Sequence, residues 1–201
     1  MKAIVAISGS TQPASYTSRA LAIVTRELAR GPFGVVTFEG IDLHLDFPGR
    51  PPTEDARRLR AAVQDAAGVV LATPEYHGGM SAMIKLCIEN LGFPSALSGK
   101  PTALLGVAAG RIGAVKSIEQ LRAVCGHVGA LVVPNAISVA NVHQAFGSDG
   151  QVTDPAIDES LRGLASSLLA FMREYVCPKY VLEEQVRAGQ SAGVEPWAVT
   201  V

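Results

Sequence analysis

No apolar run in this chain approaches the roughly 18 residues needed to cross a membrane. The opening Met-Lys-Ala-Ile-Val-Ala-Ile is too short for a secretory signal and carries no cleavage motif, so a cytoplasmic protein is expected. Cysteine is scarce: Cys87, Cys125 and Cys177 form no Cys-x-x-Cys, and no His stands at ligand spacing from them. That excludes a disulfide framework and a zinc site, and leaves ordinary buried thiols. Excess charge of one sign is also missing. The 17 Lys plus Arg nearly balance 18 Asp plus Glu, for a net charge of −1. A nucleic-acid binder should show a basic footprint. Here the longest basic patch, Arg57, Arg58 and Arg60, is flanked by Glu54 and Asp55 and suits an exposed helix face. Glu39, Asp42 and Asp46 do not make a metal cluster. His44, His127 and His143 have no acidic partner at useful spacing. Ser10 lies outside any Gly-x-Ser-x-Gly elbow, and neither a Walker A nor a Gly-x-Gly-x-x-Gly motif occurs. No side chain is therefore expected to act as a nucleophile or to bind a metal.

What is present is a foldable chain. Hydrophobic residues make up 48% and charged residues only 17%, which excludes disorder over most of the length. At 201 residues it is long enough for one self-sufficient core with room for an appendage. Short apolar runs alternate with amphipathic stretches. The expected strands are 2–8, 35–41, 68–73, 101–109 and 129–140, the last interrupted by Pro134. The expected helices are 18–30, 53–66, 81–91, 115–128 and 155–175. Gly-Val-Val-Leu-Ala-Thr at 68–73 shows no alternation, as for a strand buried on both faces of a parallel sheet. Five strands separated by helices predict a doubly wound α/β fold. The expected domain is 1–177. The segment 178–201 loses periodicity and is expected as a tail.

In an open parallel sheet, ligands sit beyond the carboxyl ends of the strands. Three loops there are unusual. Ser8 to Ser18 carries a run of Ser and Thr hydroxyls ahead of a helix. Free N–H groups and a partial positive charge at a helix start suit a phosphate, although Ser and Thr also serve simply as caps. The second loop, Thr73-Pro74-Glu75-Tyr76-His77-Gly78-Gly79-Met80-Ser81, offers a fixed turn, an aromatic face and glycines that admit a flat ligand. A bare turn capped by Ser81 is the plain alternative. The third, Gly106 to Gly113, exposes main-chain groups beside a single charge, Arg111, which either holds a negative ligand or faces solvent.

Ser8-Gly-Ser with Ser15-Tyr16-Thr17, then Pro74-Glu75-Tyr76-His77 with Lys85 behind it, then Gly99-Lys100-Pro101 and the glycine loop together resemble the NADPH-dependent FMN reductase family. The resemblance covers about residues 2–175. It implies the flavodoxin-like fold, strand order 2-1-3-4-5, with FMN as cofactor and NADPH or NADH as hydride donor. It further implies that Ser10, Gln12, Ser15, Tyr16 and Thr17 hold the phosphate. Pro74, Glu75, Tyr76, His77 and Gly78 would run along the isoalloxazine, and Ala108, Ala109, Gly110 and Arg111 would pack on its other edge. Three departures stand out: Gln12 replaces an Arg common in the family, His77 replaces Asn, and Ser81-Ala82 stands where the family has a Pro.

The implied function is an FMN-dependent NAD(P)H oxidoreductase that delivers electrons to a flavin, quinone or other small acceptor. The rivals are a flavodoxin-type electron carrier, disfavoured by the weak net charge, and a pathway-specific flavin dehydrogenase or partner reductase of a monooxygenase. A homodimer or homotetramer is expected, with the apolar tail lying across the partner and Trp197 near its flavin entrance.

Overall fold

The computed structural model describes residues 3–147 and 149–176, together with Pro178, Glu183, Arg187 and Ala188. The expected tail therefore lies, those four positions apart, outside the described residues.

The central strands are β1 (Ala3–Ser8), β2 (Gly34–Glu39), β3 (Gly68–Tyr76) and β5 (Pro101–Val107). The far edge carries β6 (Leu131–Val132) and β7 (Ile137–Val139). Parallel pairing gives the order β2-β1-β3-β5-β6, with β7 also on β5. This is the expected 2-1-3-4-5 arrangement. One additional short strand, β4 (Gly79–Met80), folds back antiparallel on β3.

The apolar runs are continuous because both faces are covered. On β1, Ile4 and Ala6 enter one core and Val5 and Ile7 the other. On β3, Val70 and Ala72 alternate in the same way with Val69 and Leu71. Helices α1 (Tyr16–Leu28) and α6 (Pro155–Phe171) cover the first face. Helices α2 (Glu54–Asp65), α3 (Ala82–Glu89) and α4 (Val115–His127) cover the second. This two-sided burial is what a strand without polar alternation requires.

Two expected elements change. The fifth strand is two short pieces. Thr102 pairs with Val132, but Leu105 pairs with Ile137, so residues 133–136 stand opposite 103–104. Pro134 lies in that excess stretch, where a missing N–H removes no ladder bond. The last helix ends at Phe171 and passes into a π turn, Met172–Val176. A four-residue helix, α5 (Val142–Ala145), follows β7 and has no periodicity by which the sequence could announce it.

Candidate functional site

Strands β1, β3 and β5 are neighbours, so the three unusual loops line one edge of the sheet. Hydrogen bonds lock them together. The Gly9 N–H donates to the Ala72 carbonyl at 2.7 Å, and the Ser81 hydroxyl donates to the Gly9 carbonyl at 2.7 Å. Pro74 pairs with Val107 in the β3–β5 ladder.

The first loop turns sharply at Ala14, whose φ is +48°, and enters α1 through Ser15. Ser15 Oγ accepts from the Ser18 N–H at 3.1 Å, a helix cap. The capping reading of the hydroxyls is thus correct for Ser15, but it leaves much unused. The backbone N–H groups of Thr11, Ala14, Ser15, Tyr16 and Thr17 donate to nothing among the described residues. Converging N–H groups at a helix start form an anion seat. Ser10 and Thr17 are buried beneath it, and Gln12 is exposed at its tip. Tyr16 packs edge-on against His143, 5.1 Å between ring centres, with the Arg19 guanidinium 5.1 Å over its ring.

Sequence reasoning missed Ser18 and Glu39. The Ser18 hydroxyl donates to Glu39 Oε2 at 2.6 Å and lies 2.9 Å from Ser15 Oγ and 3.1 Å from Ser8 Oγ. The Ser15–Ser18 spacing is a capping signal, whereas Glu39 comes from the next strand and leaves no local trace.

In the second loop the reversal is not at Pro74, as expected. β3 runs straight through Pro74 to Tyr76, and His77 and Gly78 form the two-residue hairpin into β4. Their φ values, +52° and +73°, are those of a type I′ turn. Pro74 sits at the end of its ladder, where a proline is tolerated. Asn, Asp and His are the non-glycine residues most at ease at positive φ, so His77 in place of Asn keeps the turn.

Glu75 does not simply run past a ligand. Its Oε2 accepts from the Ser117 N–H at 3.1 Å, in the first turn of α4. That helix begins at Ala114 without a side-chain cap of its own, so Glu75 supplies one from β3. Gln120, one turn on, accepts from the Met80 N–H at 3.2 Å. The hairpin is thereby pinned to α4, and Tyr76 stands 43% exposed at its tip.

In the third loop, Ala108 is buried and its main-chain groups are taken: it donates to Val139 and accepts from Val142. The exposed main-chain groups expected there begin one residue later. The N–H groups of Ala109, Gly110, Arg111 and Ile112 have no partner among the described residues, and Arg111 faces solvent. A groove of about 540 Å³ between α3 and α4, lined by Lys85, Phe93, Val124 and His127 among others, contains none of the expected site residues.

The sequence pattern of the NADPH-dependent FMN reductases matches residues 2–144. The chain belongs to that family. It is 28% identical over 172 residues to an NADPH azoreductase of a Bacillus species, covering 86% of this chain and 93% of the relative. It is 29% identical over 178 residues to an NAD(P)H-dependent FMN reductase of Pseudomonas aeruginosa, covering 85% and 95%. The flavoenzyme NAD(P)H:(acceptor) oxidoreductase FerB of Paracoccus denitrificans superposes with a TM-score of 0.71 at 26% identity, over 87% of this chain and 99% of that one. The fold is therefore flavodoxin-like, as expected.

Proposed function

We propose that this protein is an FMN-dependent NAD(P)H oxidoreductase that passes electrons to small quinone, azo or flavin acceptors. The observation that carries the reading is the set of unpaired N–H groups of Thr11 and Ala14 to Thr17 at the start of α1, with two further loops alongside it. The residues fit the cofactor. A singly charged-end ligand with a flat ring needs one anion seat and a strip of backbone with small side chains. The Ser10–Thr17 loop offers the first, and the Pro74–Gly78 and Ala108–Arg111 segments offer the second.

Ser10, Gln12, Ser15, Tyr16 and Thr17 would hold the phosphate. Pro74, Glu75, Tyr76, His77 and Gly78 would flank one edge of the ring, and Ala108, Ala109, Gly110 and Arg111 the other. The bound flavin supplies the hydride chemistry. The chain's own part is to position and to polarise. The free N–H groups of Ala109 to Ile112 and of the hairpin tip would offer donors to negative charge on a bound ring. Glu75, tied to Ser117, keeps its carboxylate on α4.

The reading extends to the whole chain as a flavin domain, 1–177, and a tail, 178–201. We take it to be a cytoplasmic homodimer. The support for the compartment is two buried unpaired thiols, Cys87 and Cys125. No helix among the described residues is long and apolar enough to span a membrane. The support for association is apolar surface beside the site: Tyr76, 79% exposed Ile112 and Val115.

Initial rates of NADPH oxidation with FMN-loaded protein, at several quinone concentrations, test the reading. Parallel double-reciprocal lines are expected from two half-reactions at one site. Absence of turnover with quinone, azo and flavin acceptors alike would contradict it.

A further inference from the structure

The loop that forms the seat at the start of α1 contributes no cation. No Lys or Arg lies between Ser8 and Ser18, and Gln12 stands at the exposed tip. Arg19, the nearest guanidinium in sequence, is laid over the Tyr16 ring, with Gly150 beside it. What the seat does have is an anion behind it. Glu39 accepts from the Ser18 hydroxyl, and Ser18 Oγ in turn lies within hydrogen-bond distance of Ser15 Oγ and Ser8 Oγ. Among the described residues no basic side chain is ion-paired with Glu39. Arg58, in the neighbouring groove, is engaged with Asp55.

Glu39 is fixed in that place by the backbone. It pairs with Ser8 in the β1–β2 register. The next residue, Gly40, lies so close to the loop that a Cβ there would come within 2.8 Å of the Ser8 carbonyl and 2.9 Å of the Ser10 carbonyl. The end of β2 is thus pressed against the first loop, which sets the Glu39 backbone beside it.

We propose that Glu39 sets the affinity of this loop for phosphorylated flavin. It holds a negative charge one hydroxyl behind the anion seat, so that FMN is exchanged rather than permanently retained. The inference rests on the reading that the flavin phosphate occupies that loop. Neutral donors and the helix start attract the phosphate. Glu39 opposes them through Ser18, whose hydrogen it draws away from the ligand side. A fixed like charge a few ångströms off in a half-buried setting lowers binding by about tenfold.

Equilibrium titration of the purified chain with FMN and with riboflavin, followed by flavin fluorescence, tests this. Glu39→Gln removes the charge and keeps an acceptor for Ser18. It is expected to bind FMN about tenfold more tightly, with slower release, and to bind riboflavin, which has no phosphate, as wild type does. Glu39→Asp, which keeps the charge, should stay near wild type. If Glu39→Gln melts early, Glu39→Thr removes the same charge with a strand-favouring residue and should show the same gain. FMN affinity that is unchanged or weaker in the neutral variants overturns the proposal, as does an equal gain for riboflavin. Failure of wild type and variants alike to bind FMN would instead remove the functional reading beneath it.

Discussion

At the scale of single residues, the account turns on the cap of α1. Ser15 accepts from the Ser18 N–H, a task that Asp performs as well as Ser. Ser15→Asp should therefore leave the helix and the melting temperature in place while setting a carboxylate against the phosphate. The expected loss is about 3 kcal/mol, or roughly a hundredfold in the Kd for FMN. Titration with FMN alongside a melting curve checks it. Unchanged FMN affinity would move the phosphate elsewhere. Much of this residue set was legible in the chain itself, because a hydroxyl run ahead of a helix is a local pattern. Ser18 and Glu39 were not, since their bond joins positions 21 apart through a strand register.

At the scale of elements, periodicity and apolar runs placed each central strand and each of the five longer helices, because two-sided burial and amphipathic faces imprint on composition. The hairpin β3–β4 was not visible. Pro74 suggests a turn, but the turn follows from positive φ at His77 and Gly78 three residues later. Nor does the sequence reveal that α4 borrows its cap from Glu75. That borrowed cap makes a prediction about the element pair. Glu75→Ala should destabilise the chain by about 1 kcal/mol, the ordinary cost of a lost N-terminal cap, and should loosen the β3–β4 hairpin proposed to flank the ring. Glu75→Gln retains an acceptor and should recover most of the stability. Chemical denaturation of the two variants, with FMN affinity measured in parallel, separates these outcomes. Equal stability in wild type and Glu75→Ala would show that α4 does not depend on this carboxylate.

At the scale of the molecule, a sheet buried on both faces isolates everything but its carboxyl edge. Cys87 and Cys125 lie on the buried faces of α3 and α4, and burial pushes both thiols up to about 12. Near pH 8 the reactive thiolate is then on the order of one part in ten thousand at each. Native protein exposed to an alkylating reagent should stay unlabelled at both positions by peptide mass spectrometry, and label only on unfolding. Rapid native labelling of either would show that the core opens. The most direct test is a single anaerobic half-reaction. Protein loaded with one FMN per chain is mixed with one equivalent of NADPH, and the oxidised-flavin absorbance band is followed. The account predicts complete bleaching within the turnover time, and recovery of the band on adding one equivalent of quinone. A chain that binds FMN but leaves it oxidised in the presence of NADPH would contradict the account and mark the protein as a carrier.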